Sequence, residues 1–250
     1  MNTPAKFWSL WGLARSLLIY YGKPGRARRD RRFYAQLIGR GALVFDIGAH
    51  VGNRVGVFLR LGAACVAVEP QPRFSVLLQK LYGRNPAFTL VQAALGSAEG
   101  STELHISRRT PTVSTTASAW RERVGRSQSF ASVTWDDSVE VAVTTLDSLI
   151  DRFGEPDFCK IDVEGSELAV LQGLSRPLPL LSFEYIPAAR ADTVACIACL
   201  EELGRYEFNW SRGESQQLRD ECWITPEEMT VRLRELEFDE PSGDIYARLK

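Results

Sequence analysis

The reactive side chains of this sequence collect where short apolar runs end. "LVF" meets Asp46 and then Gly48 and Gly52; "ACVAV" ends in Glu69; "FTLV" is followed by Gln92 and Ala93; "FCKI" contains Lys160 and leads to Asp162 and Glu164; "LLSF" leads to Glu184. A parallel strand covered on both faces is apolar throughout, so a polar group near its carboxyl end is costly unless it meets a ligand or partner. Asp46 sets the sign of the first site, because a carboxylate repels phosphate and attracts an ammonium or a bound water. Its spacing, D-x-G-x-x-x-G, differs from the G-x-G-x-x-G of dinucleotide folds. The break at the glycines is expected to leave backbone N–H groups and a helix N-terminus beside a crevice, and to let backbone approach a zwitterionic ligand. Glu69 stands where such folds place a carboxylate that accepts both ribose hydroxyls. Gln92 is placed to bond an adenine edge.

"KIDVEGSE" is the most distinctive stretch. Lys160 and Asp162 share one face of a strand and Ile161 and Val163 the other. Gly165 breaks the chain, and Ser166 is expected to cap a helix that carries Glu167 in its first turn. A charged pair inside a central strand is a poor choice for stability alone. The bland alternatives are a tight turn, a solvated acid before Pro70 and a buried ion pair.

The elements that must hold these residues alternate in type. "LVFDIGA", a helix to Gly62, "ACVAVEP", a helix from Pro72 to about Gly83, and "FTLVQAAL" make a βαβαβ half. "STELHIS" and "SVEVAVTTL" read as further strands, antiparallel to each other, and "LDSLIDRFG" as a helix. Strand, turn and helix over "DFCKIDVEGSELAVLQGL" and a strand "LPLLSFEYIP" follow. A cysteine-bearing helix, "YEFNWS", the helix "TPEEMTVRLREL" and a last strand "DIYARLK" complete the chain. The expected fold is α/β, a doubly wound sheet that binds ligands beyond the carboxyl ends of its strands. Residues 107–138 are too long and polar for an ordinary connection. They read as a lid over an acceptor site, with Trp120 and Trp135 to stack on a sugar face, or as a surface loop. His105 reads as a surface histidine rather than a base.

With 250 residues, 45% of them hydrophobic and 24% charged, the chain suits one domain, residues 41–250, and an N-terminal extension, residues 1–40. The extension carries nine Lys or Arg against one Asp, which leaves an acidic body. That body would repel phosphate, so nucleic acid is not the expected partner. The extension has no uninterrupted apolar run long enough to span a membrane, and with Arg15 inside it and no A-x-A-like site after it a signal peptide is not expected. It either docks Trp8, Trp11, Leu17 and Leu18 onto the body or lies on anionic lipid as a peripheral contact. Five cysteines without framework spacing suit a reducing cytoplasm, and Cys196 and Cys199 fall on one helix face as core residues.

Taken together, "VFDIGAHVGNRV", "VAVEPQP", "VQAALGSAEGSTEL", "TTLDSLI", "KIDVEGSELAVLQG" and "FEY" resemble the FkbM family of S-adenosylmethionine-dependent methyltransferases over residues 41–187. The resemblance implies a Rossmann-like class I sheet of seven mostly parallel strands with helices on both faces and an antiparallel last strand, a place "DIYARLK" fills. It implies that Asp46, Gly48, His50, Gly52 and Asn53 hold the methionine part of S-adenosylmethionine, Glu69 the ribose, and Gln92 with Ala93 the adenine region. His50 stands where the family often has Asn, and both can hydrogen-bond from a loop. Methyl transfer from a sulfonium needs an aligned acceptor and excluded water. A hydroxyl acceptor on a sugar, glycolipid or small metabolite also gains from a base, with Asp162, Glu164 and Glu184 the candidates in that order. The same carboxylates could hold a divalent cation, though nothing in their spacing demands a metal. The rival readings are a nucleotide-dependent oxidoreductase and a non-catalytic membrane-associated module on the same fold.

Overall fold

The computed structural model describes residues 12, 15, 16, 18, 22, 25–127 and 130–250. Strand β1 (Leu43–Ile47) is apolar except for Asp46, and it stops at Gly48, whose φ of +81° no branched residue adopts without strain. Helix α2 (Asn53–Arg60) follows, and α1 (Arg26–Tyr34) precedes β1. Strand β2 (Ala64–Val68), helix α3 (Pro72–Tyr82) with proline in its first turn, and β3 (Phe88–Val91) complete the βαβαβ half.

Strands β1, β2 and β3 pair in parallel, and β1 also pairs in parallel with β7 (Phe158–Ile161), which pairs with β8 (Leu180–Tyr185). The last strand, β10 (Gly243–Leu249), lies antiparallel between β8 and β9 (Tyr206–Arg212). The seven-stranded order is β3-β2-β1-β7-β8-β10-β9, a mostly parallel Rossmann-like sheet with the antiparallel strand where expected.

Period-two alternation sends the two strand faces to two cores. Phe45, Ile47, Cys159, Ile161, Leu181 and Phe183 meet α5 (Leu146–Phe153), α6 (Glu167–Gln172), α7 (Arg190–Leu203) and α8 (Pro226–Glu235). Val44, Cys65, Ala67, Phe158 and Tyr246 meet α1, α2 and α3. Phe33 and Tyr34 of α1 are buried in this second core, with Tyr34 edge-on to Phe58 at 5.0 Å. Part of the basic extension is thus built into the body. Trp8, Trp11 and Leu17 lie outside the described residues, and Leu18 is exposed. Cys196 is buried in the first core and Cys199 is half-buried; both are free thiols. No helix among the described residues is long and apolar enough to cross a membrane.

A separate three-stranded sheet, β4 (Ala94–Leu95), β6 (Asp137–Thr144) and β5 (Gly100–Ile106), carries the antiparallel pair read from the sequence. Between β5 and β6 the insertion folds into a 3-10 turn (Pro111–Val113), a bridge from Thr115 to His105, and helix α4 (Ser118–Val124). It has a small core of its own around Trp120, Val124 and Ala189, with Phe130, Trp135 and Ile186 against them.

Candidate active site

Asp46, Glu69 and the "KIDVEGSE" turn come together beyond the carboxyl ends of β1, β2 and β7. A cleft of ≈ 560 Å³ is lined by Glu69, Gln71, Ala93, Asp162 and Glu164 below and by Pro111, Thr112, Ser114, Thr115 and Thr116 of the insertion above. A second, of ≈ 460 Å³, is lined by Asp46, Asn53, Arg54, Lys160 and Glu214. The two share Gly48, His50, Thr112, Asp162 and Glu164.

Glu69 is buried, and each carboxylate oxygen accepts one backbone N–H, from His50 and from Gln71, both at 2.8 Å. Burial outweighs these bonds and lifts its pKa to about 7. Asp46 is also buried and lifted to about 6; Val55 N–H donates to it, while Oδ2 has no hydrogen-bond partner. An orphaned buried oxygen facing a cleft is the receptor an ammonium group requires. His50 sits at φ 49° with its ring against Phe74, and burial lowers its pKa to about 4, so the ring is neutral.

The glycine loop works differently from the sequence expectation. The N–H groups of Gly48 and Ala49 both donate to Val68 O, and that of Gly52 donates to Ala49 O. Its donors are therefore spent within the fold rather than presented to a ligand. The close approaches are also internal: a Cβ on Gly48 would lie 1.8 Å from Asp162 O, and one on Gly52 would lie 2.5 Å from Leu78. Gly48 still lines both clefts; Gly52 lines neither. Gln92 is a second correction, because the chain leaves β3 at Val91 and turns Gln92 to solvent while Ala93 faces the cleft. Gln71, inside the quoted "VAVEPQP", is the buried amide at this end, and its side chain donates to Pro111 O.

On the β7 side, Lys160 is 2% exposed and its ammonium lies 2.5 Å from Asp162 Oδ2. Burial opposes its charge, but Asp162, Asp244 and Asp46 together hold its pKa above the ordinary lysine value. Glu164 adopts a left-handed φ of 53°, and its carbonyl accepts the Thr115 hydroxyl at 2.6 Å. Carboxylate atoms of Asp162, Glu164 and Glu184 all lie within 4.8 Å of one another. Burial first, and the neighbouring carboxylates second, push Glu164 and Glu184 well above the usual range. Such a trio can share protons or coordinate one cation. Glu184 lines neither main cleft; it lines a small cavity with Trp120, Gly165 and Glu167, and its Oε2 is buried without a hydrogen-bond partner.

The insertion is fastened over this turn. A Cβ on Gly165 would meet Trp120 at 2.1 Å, so glycine is needed for the ring to lie against the turn. Trp120 is 1% exposed and packed on Phe130 and Trp135, which leaves no face for a sugar. Ser166 makes no helix cap; its hydroxyl bonds Thr116 at 2.7 Å. Glu167 instead accepts from Val163 and Gly165 N–H, and burial lifts its pKa to about 7. His105 lies near Ser118 and Glu103, outside both clefts.

A family model described as the methyltransferase FkbM domain matches residues 46–190, more than half of the chain. The chain belongs to the FkbM methyltransferase family. The matched span of this FkbM protein runs from Asp46 past Glu184, so it contains every candidate carboxylate. A search of curated proteins finds no match. Among solved structures, the chain is similar to a TehB-like SAM-dependent methyltransferase from Corynebacterium glutamicum at 12% identity, covering 98% of this chain and 99% of that one with a TM-score of 0.48. It is also similar to precorrin-6y C5,15-methyltransferase from Geobacter metallireducens, at 13% identity over 88% and 86% of the two chains with a TM-score of 0.47. An O-methyltransferase from Bacillus cereus in complex with SAH gives 12% identity over 100% and 92%, with a TM-score of 0.46.

The residues outside the sequence expectation are Gln71, Thr112, Arg54 and Glu214. Gln71 lies in a motif already quoted. Arg54 pairs across the chain with Asp30 at 2.7 Å and Glu214 at 3.0 Å, separations of 24 and 160 residues that no local pattern signals.

Proposed function

We propose that this protein transfers the methyl group of S-adenosylmethionine to a hydroxyl oxygen of a sugar, glycolipid or small metabolite. The observation that carries the reading is the convergence of Asp46, Glu69 and Asp162 on adjoining clefts under one roof. The donor set fits the cofactor: an orphaned Asp46 oxygen suits an α-ammonium, and Glu69 retains lone pairs for ribose hydroxyls. Ala93 and Leu95 supply an apolar wall for a flat base. When bound, S-adenosylmethionine would supply an electrophilic methyl on a positive sulfur.

The chain's own residues position the acceptor and take its proton. Asp162 is the one carboxylate of the trio with a cation in contact, and it lines both clefts. We assign it to accept the hydroxyl proton as the oxygen attacks. Glu164 and Glu184, pushed toward their protonated forms, act as neutral neighbours that can donate a hydrogen bond to that carboxylate. The insertion, bolted by Thr115 and Thr116, covers one side of the turn that carries Asp162.

Calorimetry with S-adenosylhomocysteine and with NADH tests the cofactor. Binding of the first and not the second is expected; the reverse result would establish the oxidoreductase reading. Incubation of the protein with labelled S-adenosylmethionine and a cell extract, followed by mass spectrometry, should then show a product heavier by one methyl group on oxygen.

A further inference from the structure

The methionine end of the cleft holds an ion cluster that none of the assigned roles uses. Arg26 of α1, Asp30 of α1 and Arg54 of α2 have side chains only 4%, 3% and 9% exposed. Arg54 donates to Asp30 through one terminal nitrogen and to Glu214 through the other, while Arg26 approaches the same Glu214 oxygen at 2.6 Å. Two buried guanidinium groups thus face one buried carboxylate. Asp244 and the Tyr34 ring are within electrostatic reach of Arg54, but its hydrogen bonds go to Asp30 and Glu214.

Glu214 is the odd member. Its side chain is 49% exposed, it comes from the segment after β9 far along the chain, and it rests beside Gly213 and Gln216, both with positive φ. Burial works against its charge, but Arg54 and Arg26 hold its pKa at about 2. It lines the same cleft as Asp46 and Asn53. A carboxylate that is half in solvent, on a turn, and bonded to cations fixed in the wall can be exchanged for another carboxylate of matching geometry.

We infer that Arg54, supported by Arg26, is the receptor for the α-carboxylate of the cofactor, and that Glu214 is a stand-in carboxylate which that group displaces. This rests on the reading of the cleft as an S-adenosylmethionine site and adds the partner for the half of the amino acid that Asp46 cannot hold. Lys160, the other cation there, is a poorer receptor because Asp162 already occupies it and Asp46 and Asp244 lie close by. Exchange keeps the buried guanidinium groups neutralised before and after binding, which avoids the large cost of an unpaired buried charge. It also couples cofactor entry to the segment after β9.

The test compares S-adenosylmethionine with its decarboxylated form, which differs only by the carboxylate, by calorimetry on the full chain. For the native protein the carboxylate should be worth about ten- to a hundredfold in affinity, the range for hydrogen bonds to charged groups. Arg54→Lys should bring that ratio toward one. Glu214→Gln should raise it several-fold, because the competitor is gone while the fold keeps an amide in the same place. A ratio that Glu214→Gln leaves unchanged or lowers overturns the exchange. If Arg54→Lys fails to fold, the Glu214→Gln ratio alone decides. Should the native protein bind neither form, the cofactor reading itself fails; should it bind both with a ratio near one, only this inference does.

Discussion

The two sides of the cleft solve the problem of buried charge in opposite ways. At the ends of β1 and β2, Glu69 is answered by two backbone N–H groups and Asp46 by one, so each carboxylate is fixed in place before any ligand arrives. At the ends of β7 and β8, Asp162, Glu164 and Glu184 face one another, with Lys160 the ammonium in contact among the described residues. The first arrangement suits binding, because neither carboxylate must reorganise. The second sets Asp162, in contact with Lys160, beside Glu164 and Glu184, whose pKa values burial and the neighbouring carboxylates raise, which suits a site that handles a proton. Preorganisation and protonic tension are thus placed on neighbouring strands, joined by the backbone contact of Gly48 with Asp162.

The strongest way to break this division is at that joint. Gly48→Ala introduces a Cβ 1.8 Å from the Asp162 carbonyl at a φ of +81°, and should cost about 4 kcal/mol or more, at the exceptional end for point mutants. A melt unchanged from the native protein would show that the two sides are not locked together. Next in size, Asp162→Asn should lower kcat about a thousandfold while leaving the affinity for S-adenosylhomocysteine within a few-fold, since general-base losses run to about 10²–10⁴. Weakened cofactor binding with normal kcat would move Asp162 to the binding side. Glu69→Gln should do the reverse, weakening S-adenosylhomocysteine about ten- to a hundredfold with little change in kcat at saturation.

The smaller effects are protonic. Asp46 and Glu69 sit at about 6 and 7, and the ammonium and hydroxyl donors of the cofactor would favour their ionised forms. Binding at pH 6 should therefore release protons, which appears as a dependence of the calorimetric heat on buffer ionisation enthalpy; identical heats in two buffers would remove these groups from the site. In the ligand-free protein the same groups, with Glu167 at about 7, bind protons that the unfolded chain has already lost. Their contribution to stability is full below about pH 4 and declines as pH rises through 7, so the melting temperature should fall between pH 5 and pH 8. His50, held near 4, opposes this only below about pH 6.5. Exhaustive chelation of divalent metal should leave activity unchanged if protons alone occupy the trio.

The sheet was legible because its parallel strands are short, largely apolar runs that carry polar or charged groups at or near their carboxyl ends. Asp46, Glu69, Asp162 and Glu164 line the clefts for that reason. Strand periodicity fails at the point where a strand stops. It assigned Gln92 to the ligand because it follows β3, yet the chain has already turned there. Gly48 and Gly52 suggest room for a ligand from their spacing, whereas they make room for Asp162 and Leu78, neighbours set by tertiary packing. Trp120 read as a sugar platform for want of any local sign that Phe130 and Trp135 enclose it. The Arg26, Asp30, Arg54 and Glu214 cluster draws on three distant segments and leaves no spacing to find.

Every residue pairing of the seven-stranded sheet falls outside positions 92–157, a span that holds the three-stranded sheet and the insertion hung from it. Length and composition between Ile106 and Asp137 can therefore drift without shifting a single register of the main sheet. Relatives built this way can trade one roof for another and inherit new substrates over the same Asp46 and Glu69.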